Sequence, residues 1–90
     1  MPNIEIRGFL PAQAYDLNRQ IFDLFAGEPF VDDMVVTICS TPVLDAKGKF
    51  QPYLRVLSTP SPVIPLILGK LQNLGIDIEH LELKAFIPKK

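Results

Sequence analysis

Hydrophobic and polar residues alternate from the start of the chain. Ile4 and Ile6 face one way and Asn3, Glu5 and Arg7 the other, the pattern of a half-buried strand over residues 3–9. Pro11 suits the first turn of a following helix, where its missing N–H is not required. Ala14, Leu17, Ile21, Leu24 and Phe25 then recur at helical spacing as far as Gly27, with Asp16, Arg19, Gln20 and Asp23 on the wet side, and Pro29 stops the run. MVVTICST (34–41) is rich in β-branched residues and predicts a second strand. A turn at Asp45 to Gly48 leads to a third, alternating strand from Tyr53 to Ser58. In STPSPVIP, Ser61 is placed to cap a helix with Pro62 at its first position and Pro65 still in the first turn. Ile64, Ile67, Leu68, Leu71 and Leu74 make its apolar stripe, closed by Gly75. Residues 78–87 alternate again, with Glu79, Leu81, Leu83, Ala85 and Ile87 opposed to Ile78, His80, Glu82, Lys84 and Phe86.

The predicted order is β-α-β-β-α-β in a single domain, made of two β-α-β units at approximately 2–43 and 50–88. Each helix has one apolar stripe to bury, so both must cover the same face of one mixed four-stranded sheet, an α/β (α+β) two-layer sandwich. The opposite face is expected to carry Glu5, Arg7, Tyr53, Arg55, His80, Glu82 and Lys84, bare to water or covered by another subunit. Two topologies fit. Either the strands within each β-α-β unit are adjacent and parallel, or the sheet is ferredoxin-like, with the first strand beside the third and strands two and three in a hairpin. The segment 43–50 is long enough for both.

Composition narrows the functions. Ninety residues make one small core. Nine basic against ten acidic side chains give a net charge of −1, without the basic excess that phosphate binding demands, so no nucleic-acid partner is expected. No apolar run approaches the ~20 residues of a membrane span, and the start lacks the charged and apolar regions of a signal peptide, so no membrane partner and a cytoplasmic location are expected. Cys39 is the single cysteine, which excludes an intrachain disulfide and a cysteine-based metal site, and predicts a buried strand residue.

Pro2 is the most distinctive chemical candidate. If Met1 is removed, its ring nitrogen becomes a secondary amine, and desolvation would lower that amine's pKa from about 7.7–8.0 towards a range suited to general acid–base work. Otherwise it is an ordinary chain end. Arg55 and Tyr53 project from one face of the third strand, where Arg55 suits either a substrate carboxylate or a cross-strand glutamate such as Glu5 or Glu82. Lys84 is a second cationic candidate. His80 is the only histidine and has no partner at metal-ligand spacing. No phosphate-binding glycine loop or nucleophile elbow is present, and no cofactor is expected.

The start MPNIEIRG, the amphipathic helix, and VVTICSTPV leading to AKGKF resemble the tautomerase and macrophage migration inhibitory factor superfamily. PYLRVLST, its helix and GIDIEHLELKAFIP would be the second unit, and the closing FIP resembles a small bacterial family of unknown function with the tautomerase-like fold. The resemblance implies adjacent parallel strands within each unit, a homotrimer, and a pocket around Pro2 at a subunit boundary. It implies a keto–enol tautomerase of small keto acids in which Pro2 is the general base, with Arg55, Tyr53 and Lys84, from the polar sheet face, as the candidates for contacting the substrate. The chain departs from the family where tautomerases place carboxylate-binding arginines. Phe9, Leu10 and Pro11 stand at the first such place, and 30–43 contains no arginine. A non-catalytic oligomeric ligand-binding module, with a tautomerase-like or ACT/ferredoxin-like fold, is the alternative.

Overall fold

The computed structural model describes residues 2–82. In chain order these form β1 (Asn3–Arg7), α1 (Pro11–Leu24), β2 (Val35–Cys39), β3 (Tyr53–Ser58), α2 (Ile64–Gln72) and β4 (Ile78–Glu82), with a 3-10 turn at Val31–Asp33 leading into β2. The sheet order is β2-β1-β3-β4. β1 and β2 are parallel, β3 and β4 are parallel, and β1 meets β3 antiparallel at the centre. The ferredoxin-like arrangement is thereby excluded. The segment between β2 and β3 turns on itself instead of forming a long hairpin. Asp45 Oδ1 accepts the N–H groups of Lys47 (2.8 Å) and Lys49 (3.0 Å), and Leu44 bridges Phe50.

The central register pairs Asn3 with Leu57, Glu5 with Arg55 and Arg7 with Tyr53. A two-fold axis through the Glu5–Arg55 pair therefore carries Asn3 onto Tyr53 and Arg7 onto Leu57. The outer strands obey the same axis, since Val36 pairs with Ile4 and Ile78 with Leu54. Pro2 and Pro52, each just before its strand, are equivalent under it.

Strand alternation aims Ile4, Ile6, Leu54 and Val56 at the helices. Ala14, Leu17 and Ile21 from α1, with Ile64, Ile67 and Leu71 from α2, close over them, and Phe25 and Met34 complete the cluster. A fully buried aliphatic side chain of this kind contributes about 2 kcal/mol. α1 begins at Pro11 as the pattern predicts, and Gln13 Oε1 accepts the Leu10 N–H at 3.3 Å, satisfying one of the helix's first free donors. At its far end, Lys70 Nζ from α2 donates to the Leu24 carbonyl (3.1 Å), pairs with Glu28 (3.0 Å) and lies over the Phe25 ring. One lysine thus ties the two helices together.

Three expectations are corrected. α2 starts at Ile64, later than Ser61 and Pro62 suggest. Ser61 Oγ accepts the Val63 N–H at 3.4 Å within a preceding turn, and Pro65 sits in the first helical turn. Cys39 is half-buried on the sheet's open face, not in the core, because it shares the orientation of Arg7, its register partner. The open face also differs at β4. Glu79 and Leu81 share it with Arg55 and Leu57, whereas His80 and Glu82 lie on the helix side. β4 is an edge strand that α2 does not fully cover, so its polar row reaches water from the helix side and needs no open face.

Candidate functional site

Pro2 is buried, and its carbonyl accepts the Val35 N–H at 3.1 Å, extending the β1–β2 ladder by one bond. By alternation it shares the helix side of the sheet with Ile4. It lines a cavity of about 190 Å³ together with Phe30, Asp33, Ser58, Thr59, Ser61, Val63 and Ile64. Asp33 arrives from the 3-10 turn that feeds β2, the hydroxyls from the end of β3 and the approach to α2, and the apolar wall from Phe30, Val63 and Ile64. Ser58 is 3% exposed, and its Oγ lies 3.2 Å from His80 Nε2 in a shared hydrogen bond. The lining is therefore apolar on one side and rich in oxygen on the other.

Arg55 and Tyr53 lie on the opposite face and do not line this cavity. They belong to a line of alternating charge. Arg7 Nη1 donates to Glu5 Oε1 at 3.2 Å, Arg55 Nη1 lies 3.7 Å from the same oxygen, and Arg55 Nε lies 3.3 Å from Glu79 Oε1, an ion-pair distance without hydrogen-bond alignment. Arg55 Nη2 also donates to Tyr53 Oη at 3.0 Å. Burial pulls the pKa of the Arg7 guanidinium down, but Tyr53, Cys39 and Glu5 more than offset it, so the pKa is held above its ordinary value. Each arginine thus has an acidic partner in its own chain, and an incoming carboxylate must compete with Glu5 or Glu79. Glu79 takes the cross-strand place that sequence reading gave to Glu82. Lys84 lies outside the described residues.

The two-fold axis gives the Pro2 cavity a counterpart. Pro52 lines one of about 250 Å³ with Gly8, Phe9, Leu10, Pro11, Gln13, Ser40, Pro42 and Phe50. Its walls are chiefly apolar and aromatic. Equivalent backbone thus carries unlike chemistry at the two ends of the sheet.

Sequence reading missed Asp33 and Thr59 as pocket residues and took Ser61 only as a cap. The legible signal was positional. The residues just before β2 and just after β3 flank the start of β1 once the two units are paired antiparallel.

Two β-α-β units with adjacent parallel strands, joined antiparallel about a two-fold, make the tautomerase-like fold of the macrophage migration inhibitory factor class. Among solved structures, the chain is similar to a domain of unknown function (DUF1904) from Sebaldella termitidis ATCC 33386, with 16% identity, 96% of this chain and 90% of that chain covered, and a TM-score of 0.58. It is also similar to the macrophage migration inhibitory factor of Toxoplasma gondii, with 16% identity over 93% of this chain and 88% of that one, at a TM-score of 0.50. No protein-family model matches the sequence, and no curated protein matches it. At these identities the likeness establishes the fold. Among the described residues, no helix is long and apolar enough to cross a membrane.

Proposed function

We propose that the protein is a keto–enol tautomerase of small carbonyl compounds, with Pro2 as its proton-transferring group once Met1 is removed. The observation that carries this reading is the position of Pro2, buried at the start of a central strand and opening onto a cavity of about 190 Å³. A secondary amine there is held by the sheet, with room for a substrate of a few heavy atoms and hydroxyls within reach of its oxygen. The amine takes a proton from the carbon beside the carbonyl and returns it to the other end of the enol.

A keto acid, the substrate class implied by the family resemblance, needs a cation for its carboxylate. Within one chain Arg55 and Tyr53 stand across the sheet from Pro2, so on this reading they reach the pocket of a neighbouring copy in a homotrimer. Lys84 is the other proposed contact, two residues beyond Glu82, whose register partner Ser58 lines the cavity.

The second reading, a non-catalytic ligand-binding module, is favoured by one observation: no basic side chain among the described residues lines the Pro2 cavity. One sequence of measurements separates the two. Intact mass spectrometry of the native protein establishes whether Met1 is absent. Enol-to-keto conversion of phenylpyruvate is then followed in wild type and Pro2→Ala, with a loss of about 100-fold expected from removing a general base. Retained methionine, or equal rates in the two proteins with both phenylpyruvate and an uncharged hydroxyketone, would leave the binding module.

A further inference from the structure

The oxygen-rich wall beside Pro2 has a chemistry of its own. Asp33, Ser58, Thr59 and Ser61 line the cavity, bringing one carboxylate and three hydroxyls against Phe30, Val63 and Ile64. The backbone does not require this. Under the two-fold axis Ser58 and Thr59 correspond to Gly8 and Phe9, and the same count sets Ser61 against Pro11. Those three counterparts line the apolar cavity at Pro52. At these three positions the wall carries hydroxyls only beside the proline that can become an amine, and the polar lining at Pro52 comes from Gln13 and Ser40 instead.

The described cations are committed elsewhere. Arg7 and Arg55 are paired on the open face, Arg19 pairs with Asp16 on α1, and Lys70 ties α2 to Glu28. Lys47 and Lys49 stand in the turn between β2 and β3. A carboxylate entering the Pro2 cavity therefore meets Asp33, a like charge whose approach costs affinity. A substrate hydroxyl in the same place donates to Asp33 or exchanges hydrogen bonds with Ser58, Thr59 and Ser61.

We propose that Asp33 is the specificity-determining residue of the Pro2 pocket, and that the pocket takes an uncharged, hydroxyl-bearing carbonyl compound and rejects keto carboxylates. This rests on the reading of Pro2 as the functional centre and revises the ligand implied by the resemblance. Asp33 itself is exposed at the cavity mouth, so the core does not depend on it.

Dihydroxyacetone and hydroxypyruvate are a matched pair that differ in a hydroxymethyl group against a carboxylate. Each is titrated into the native protein while the amide resonances of Asp33, Ser58 and Thr59 are followed by NMR. Dihydroxyacetone is expected to shift them at concentrations at least about tenfold below those hydroxypyruvate needs, and D33N is expected to bring the two within about twofold of each other. Far-ultraviolet circular dichroism and a urea midpoint matching wild type show that D33N is folded.

Hydroxypyruvate binding as well as or better than dihydroxyacetone in wild type would overturn the proposal, as would an unchanged preference in D33N. Neither ligand moving these resonances would overturn it too. Failure of the Pro2 reading is recognised separately. If Pro2→Ala exchanges the carbon-bound hydrogens of dihydroxyacetone with solvent deuterium at the wild-type rate, the tautomerase reading falls. If that rate is lost while hydroxypyruvate is preferred, only the present inference falls.

Discussion

Gly8 shows most directly how a single residue holds the fold's geometry. It follows β1 with a φ of +81°, and a Cβ there would stand 3.1 Å from Val43 Cγ2 and 3.3 Å from the Pro52 Cα. Gly27 has a similar φ of +86°, but a Cβ would meet nothing within 4 Å. The pair separates conformational strain from crowding. Gly27→Ala is expected to cost about 1 kcal/mol, the left-handed penalty alone, and Gly8→Ala about 2–3 kcal/mol, because Val43 and the Pro52 backbone must also move. Urea midpoints compared across the two variants check this, and equal losses would mean that the contact at Gly8 relaxes freely. At this scale the sequence was partly legible. Pro2 stands out because its nitrogen becomes a secondary amine if Met1 is removed. Asp33 does not, because only the pairing of distant strands brings it to Pro2.

Among the elements, those with a strong single period were read correctly, and those at an edge were not. The stripes at 14–25 and 64–71 have one face each, so burial fixes the helices' direction, and β3 matched residue for residue. β4 misled because alternation establishes that two faces exist, without establishing which one is wet. On an edge strand the polar row is free to lie on the helix side, and here Ser58 favours that choice. Ser58 is 3% exposed on β3, and His80 supplies its hydrogen bond from β4 at 3.2 Å. His80→Ala leaves this hydroxyl buried without its partner and is expected to cost about 1–2 kcal/mol. Adding Ser58→Ala should recover part of the loss. A double variant as unstable as the sum of the single ones would show that the two side chains act independently.

At the scale of the whole molecule, the described residues form a slab, 43 × 37 × 19 Å, with both of their helices on one side. Its open face is unlike a solvated surface at one end. Next to the charged line runs an apolar row in which Val35, Leu57 and Leu81 flank Asn3, and Val35 and Leu81 are 42% and 40% exposed. Such a row suits burial against another copy, and the proposed number of three is what the family resemblance implies. Light scattering is expected to give about 30 kDa, three times the 10.1 kDa of one chain, and Leu81→Arg to return the single-chain mass with the helical circular dichroism intact. A wild-type chain that stays at the single-chain mass at all concentrations would refute the assembly. The β-α-β-β-α-β order was legible as a whole, whereas strand adjacency was not, since the 43–50 segment leaves room for either topology.

The two-fold relation between Pro2 and Pro52 has a stoichiometric consequence. Repetition of a fold unit ordinarily offers two sites, but the covalent chain permits only one of these prolines to react. The nitrogen of Pro52 is acylated by Gln51 in every molecule, whereas that of Pro2 is acylated only while Met1 is attached. Methionine excision therefore breaks a chemical symmetry that the backbone preserves. A reagent selective for secondary amines should consume one equivalent per processed chain and none per unprocessed chain, with Pro52 as the internal reference.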